Sequence, residues 1–414
     1  MTTSISNSSL TTGGWRATGN TVDISSSTST AGLNSAQIAK LSTEQVASLT
    51  VQQIADIAPT ALAGLSATQV RSLGTAQMAA MTTLQMRALS SAQVGKLTTS
   101  QLAVLSDVQV AALDTVDLAQ LSTDQVRALS TLAVSGLTTG QAASLSTDTV
   151  KSLTNVQVSA LTTAHIKALN TEQLATLGTA QMASLSATQV AGIETSDLVT
   201  LTTDKLAALT TAAVAGLSTS QVASLTTDQI IGLTATQAGA LTTAQVVALT
   251  TIQASKLSST AAAALTGTQV AALQTADLSK FSTNALSALS NSAVSALTTS
   301  QIATLTTAQT ASLTTDQIKQ LSSAQIVALT TAQTSVLTTD QMSALSGTQV
   351  AKMESSDFAK LSTAAIAALS SAQTRSLTTD QIVAITTSQL PAFGTDDINV
   401  LTSRQVGEIG RAHV

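Results

Sequence analysis

Acidic residues three apart are the one pattern in this chain whose type and spacing point toward site chemistry. Asp114 precedes Asp117, Glu194 precedes Asp197 and Glu354 precedes Asp357, while Gln274 precedes Asp277 at the equivalent place. Oxygen-rich groups at that spacing contribute to Ca²⁺ sites, so these six carboxylates are the candidate metal ligands. The competing reading is local. The second acid of each pair stands in for a glutamine that caps a helix start, and both acids favour the positive end of a helix.

Other site chemistry finds little material. The chain has no Cys, which removes disulfides, thiolate metal sites and cysteine nucleophiles. His165 and His413 are the two histidines, too few and too far apart for a His-type metal site. His165 stands where neighbouring segments carry a capping Gln. No nucleophile elbow or glycine-rich phosphate loop is present. We therefore expect no enzyme and no cofactor. The 17 basic residues are spread thinly through a chain of net charge −5, which offers nucleic acid no footprint. No apolar run approaches the roughly 20 residues of a membrane span. Residues 1–20 have no apolar signal-peptide core, so export is expected to need another route.

The acidic pairs sit inside a repeat. Starting at Leu33, a large apolar residue recurs every eighth position to Leu401, giving 47 octads without an insertion or deletion. Forty of these first positions are Leu. A single helix would carry that stripe around its whole circumference, because eight residues advance about 800°. A strand would need a period of two, yet the apolar positions are one, six and eight. A short helix restarted in every octad fits both facts. Position two is Ser, Thr, Asp, Asn or Gly in 43 of 47 octads, which suits an N-cap. Position five, usually Gln, completes a capping box, and positions one and six form a hydrophobic staple. The charges agree. Of 21 acidic residues within 33–408, 19 lie at positions two to five, and of 15 basic residues 13 lie at positions seven or eight. That is the polarity a helix dipole selects.

The expected fold is therefore an all-α solenoid of N-capped helices of about six or seven residues, stable only through stacking. A β-solenoid is the alternative. Rows of Thr and Ser at positions two and three would suit an ice- or glycan-binding ladder in a β-fold, and act as caps in a helical one. Pro59 falls at the first helical position, where proline is tolerated; Pro391 falls in a helix interior, where it is not. The acidic-pair octads at Leu113, Ile193, Leu273 and Met353 are 80 residues apart. If that block preserves solenoid phase, two or five octads per coil are expected. Residues 1–32 read as a Ser/Thr/Gly-rich leader with a short strand near Thr21–Ile24, or as a cap using Trp15. The octads occupy 33–408. Residues 409–414 read as the translation of a sequencing adapter, so this tail is expected to be non-native and the natural chain longer.

The octad, L-[ST]-[ST]-x-Q-[VI]-x-A from Leu33 to about Val406, resembles the Ser/Thr/Ala-rich tracts of large bacterial secreted or surface proteins, described as adhesin-like or RTX-like exoproteins. The calcium nonapeptide of RTX proteins is absent, so their calcium β-roll does not carry over. The resemblance implies a scaffold or stalk outside the cell, exported by a route that reads a C-terminal signal. The alternatives are a solenoid that binds a protein or glycan, and a cytoplasmic location. The octads look interchangeable, which favours the spacer over a binder with one specialised face. Self-association is left open.

Overall fold

The computed structural model describes residues 17–18, 21–22 and 29–412. Trp15 and His413 lie outside the described residues. Two short strands, β1 (Ala17–Thr18) and β2 (Thr21–Val22), pair antiparallel. Among the described residues every element after Leu33 is helical, and every octad but one forms one α-helix. The α1–α46 series runs from Ser35–Ile38 to Ser403–Ala412. The fold is an all-α solenoid, so the β-solenoid alternative falls.

Each helix starts where the octad places its cap. In α3 (Val51–Asp56), Thr50 has φ −71° and ψ 159°, and its hydroxyl accepts from Gln53 N. Gln53 Oε1 accepts from Thr50 N in return, at 2.8 Å. The same reciprocal box recurs along the chain, as in α25 (Thr227–Ile231) with Thr226 and Gln229. Pro59 occupies the first turn of α4 (Pro59–Leu62) as expected.

Before α46 the helices are only four to six residues long, slightly shorter than the sequence implies. The reason is at position one. Leu49, which ends α2 (Thr43–Ser48), takes φ −58° and ψ 138°, an extended conformation that closes one helix and leads into the next cap. The octad at Ile385 is the exception. Pro391 lacks an N–H and its ring obstructs the preceding turn, so only a 3-10 turn forms, at Leu390–Ala392.

Burial follows the staple. First-position residues such as Leu97, Leu177 and Leu257 are buried, and so are sixth-position residues such as Ile54, Val190 and Ile302. Burying each aliphatic side chain is worth about 2 kcal/mol, which helices this short cannot supply on their own.

The octads form two compact units. One reaches Leu201 and includes Ala208–Ala213; the other comprises Thr202–Ala207 and Val214–Val414. Both use one packing rule. A helix packs against the helix three octads further on, as α2 does against α5 (Ala67–Ser72) and α29 (Ser259–Ala263) against α32 (Thr283–Ala288). Position eight of the later helix lies on position three of the earlier one. At Gly136 a Cβ would overlap the backbone of Asp107, so that approach requires glycine.

Two or five octads per coil is therefore incorrect. Contacts bracket the coil between three and four octads. The phase argument assumed a whole number, whereas ten octads over three coils return the phase as well.

Candidate functional site

The polar centre of each octad is its position-five glutamine, and it does more than cap. Gln253 Oε1 accepts from Thr250 N at 2.8 Å. Its Nε2 donates to Val222 O at 2.9 Å and to Leu225 O at 2.7 Å, in the preceding coil. In the other unit, Gln101 repeats the set with Val70 O at 2.9 Å and Leu73 O at 2.8 Å. The offsets of 28 and 31 residues recur at Gln77, Gln157, Gln301 and Gln381. The leucine at position one needs this donor, since its extended conformation turns its carbonyl out of the helical ladder. One buried amide thus starts its own helix and closes the coil beneath it.

Sequence reasoning assigned Gln only the first task. The missed signal is an absence. A capping box accepts Glu as readily as Gln, yet 32 of the 47 fifth positions are Gln and none is Glu. Only the amide has two N–H groups to give to the coil below.

His165 shows the same requirement in another side chain. Its Nδ1 accepts from Thr162 N at 3.2 Å. Its Nε2 meets Leu137 O, 28 residues back. With Nδ1 as the acceptor, the tautomer that carries its proton on Nε2 reproduces both halves of the amide. The ring is buried among the helices, as the reading of a cap substitution requires.

The candidate calcium pairs are split by the fold. Asp114, Glu194 and Glu354 are exposed N-cap residues whose side chains make no cap hydrogen bond. Asp117, Asp197 and Asp357 are buried. Each turns to a hydroxyl 26 residues earlier: Asp117 to Ser91, Asp197 to Thr171, and Asp357 to Thr331 at 2.7 Å. These carboxylates are coil-to-coil acceptors, and no reciprocal box forms at their helices. The local reading held them to be capping partners; the shorter aspartate instead takes up the bond to the previous coil. At Asp277 the buried Oδ2 has no hydrogen-bond partner. Among the described residues no three His, Cys, Asp or Glu side chains converge as metal ligands. A shallow groove beside Glu194 is lined by Lys167, Gly192 and Thr195, and another by Arg71, Lys96, Asp124 and Gln125.

With this geometry in place, the literal hexapeptide Ala240–Gln245, ALTTAQ, holds the first staple residue, the cap and the coil-closing amide of one octad. A family model described as the ALTTAQ repeat matches residues 83–115, 110–147, 150–187, 190–227, 270–307, 311–347 and 350–387, more than half of the chain. The chain belongs to the ALTTAQ repeat family. His165 ends the variant ALTTAH at Ala160–His165, so the histidine stands at the position of the family's glutamine. A search of curated proteins found no match.

Among the described residues, no helix of this ALTTAQ repeat protein is long and apolar enough to cross a membrane. The octads are less uniform than their consensus. Large apolar residues at the exposed fourth position include Leu84, Val108, Leu132 and Val156, every third octad, which stacking brings into one row; Val116 and Ile252 lie outside that row.

Proposed function

We propose that this ALTTAQ repeat protein is a non-enzymatic scaffold, a stalk or spacer within a bacterial protein displayed on or outside the cell. One observation carries the reading: the cap hydroxyl and the glutamine of the octad are consumed by the repeat itself. The glutamine acceptor goes to the N-cap amide and its donors go to the coil below. The cap hydroxyl accepts from the glutamine's own N–H. A module built this way can be lengthened without changing what each octad does. The cell-surface assignment rests on the resemblance of the Ser/Thr/Ala-rich octads to exoprotein tracts. A ligand-binding solenoid is the second reading, and the row at Leu84–Val156 favours it.

The test is a deletion combined with fractionation. Removing one 80-residue block, residues 193–272, should leave the helical circular dichroism per residue unchanged and the remaining chain folded. A collapse of helicity would refute interchangeable spacing. Epitope-tagged chain expressed in its own cells should appear at the surface or in the medium. Retention in the cytoplasm would refute the location.

A further inference from the structure

The row at the fourth position has the build of a self-pairing surface. Leu84 lies on α7 (Thr83–Arg87), Val108 on α10 (Asp107–Ala111), Leu132 on α13 (Thr131–Ser135) and Val156 on α16 (Asn155–Ala160). Each of these helices packs on the next, so the four side chains form a ladder with one rung every three octads. They are 62%, 57%, 57% and 64% exposed, far more than the octad's core positions. Thr60 and Ala180 end the ladder at either side in the same register. The neighbouring stack, α9 (Thr99–Ala103), α12 (Thr123–Ala128), α15 (Thr147–Ser152) and α18 (Thr171–Thr176), carries Ser100, Asp124, Asp148 and Glu172 at this position. One edge of the unit is therefore apolar at this position and another charged, with Arg127 and Lys151 on the same helices as Asp124 and Asp148, a sidedness that a plain spacer does not need.

We propose that two copies of this chain pair face to face along the Leu84–Val108–Leu132–Val156 ladder, antiparallel about a twofold axis. Charge selects the orientation. The four helices carry one cation, Arg87, and one anion, Asp107. A parallel in-register pair would set Arg87 against Arg87 and Asp107 against Asp107. The antiparallel pair sets α7 against the partner's α16 and α10 against the partner's α13, which carry no charge. Shape agrees. The alternation Leu, Val, Leu, Val reversed on itself places a large side chain opposite a smaller one at every rung, the arrangement that lets facing layers interdigitate, and an isologous contact needs that self-complementarity.

Area sets the strength. The ladder exposes about 400 Å² of apolar surface, within the range of functional patches on monomers. Two ladders together remove about 800 Å², less than the roughly 1,200–2,000 Å² of stable complexes. The pair is therefore weak, with a dissociation constant of about 10 µM to 1 mM.

Sedimentation equilibrium of the full chain from about 5 to 500 µM tests this. A concentration-dependent dimer is expected. Leu132→Asp should weaken it at least tenfold with circular dichroism unchanged. Ile252→Asp, at an exposed fourth position outside the ladder, should not weaken it. Because the chain has no Cys, orientation is read by crosslinking. A mixture of Val108→Cys and Leu132→Cys chains should form mixed disulfides, with little from either alone. A monomer throughout the range, equal weakening by Ile252→Asp, or self-crosslinking as efficient as the mixture would each overturn the proposal. A monomeric chain that instead captures an added amphipathic helix through Leu132 would assign the ladder to a foreign partner and overturn it too.

Discussion

Replacing Gln253 by Glu separates the two tasks of the coil-closing amide. The carboxylate still accepts from Thr250 N, so the capping box survives. Both donated bonds to the coil below are lost. Val222 O keeps the backbone donor Leu225 N, whereas among the described bonds Leu225 O has no other. An orphaned buried acceptor costs about 1–3 kcal/mol, and the lost second bond adds about 1 kcal/mol. At neutral pH the carboxylate also faces two carbonyl oxygens, so a total near 3–4 kcal/mol is expected. Acid should relieve much of this. A protonated Glu accepts at one oxygen and donates from the other, so the folded state favours the proton and raises the carboxyl's pKa. A raised carboxyl pKa means that stability falls as pH rises from the unfolded value through the folded one. The variant should thus be close to wild type near pH 4 and clearly weaker at pH 7. Stacked repeats open locally, so the measurement is hydrogen exchange across residues 222–257 at both pH values. Gln37→Glu is the control. Gln37 caps Asn34 in the first coil, and no donation to another coil is described for it, so the change there should cost under about 0.5 kcal/mol. Equal effects at residues 37 and 253, or a cost at 253 that ignores pH, would refute the coil-closing role.

Three further outcomes follow from the same geometry. Thr310 occupies a sixth position that is fully buried, and its hydroxyl bonds Thr306 O, which already accepts from Thr310 N. Thr310→Val should stabilise by about 1 kcal/mol in urea titration. Gly136→Val should destabilise by about 1–3 kcal/mol or more, read as faster exchange in residues 107–112 and 131–137, because the side chain would enter the Asp107 backbone. Asp277→Asn removes the charge from a buried carboxyl whose Oδ2 is unpartnered. It should raise the melting temperature, whereas Asp357→Asn, which alters a carboxylate already bonded to Thr331, should not.

Much of this protein is written within single octads. The cap at Thr50, the box with Gln53, the staple of Leu49 with Ile54 and the charge polarity connect residues three to five apart. Such contacts depend only on local backbone geometry, so eight letters suffice to predict them. The tolerance of Pro59 and the disruption at Pro391 were legible for the same reason. The coil was not. Whether helices three, four or five octads apart meet depends on small angles at each Leu hinge, accumulated over about 28 residues, and no octad encodes their sum. The second task of Gln253, the turning of Asp117 toward Ser91 and the gathering of Leu84, Val108, Leu132 and Val156 all hang on that sum. The sequence by itself determined where each helix begins, that the staple residues at positions one and six are buried and that the unit can be repeated. Only the tertiary structure decided which octads become neighbours, because coil closure is a long-range consequence of many small rotations and is held by amides reaching into the coil below.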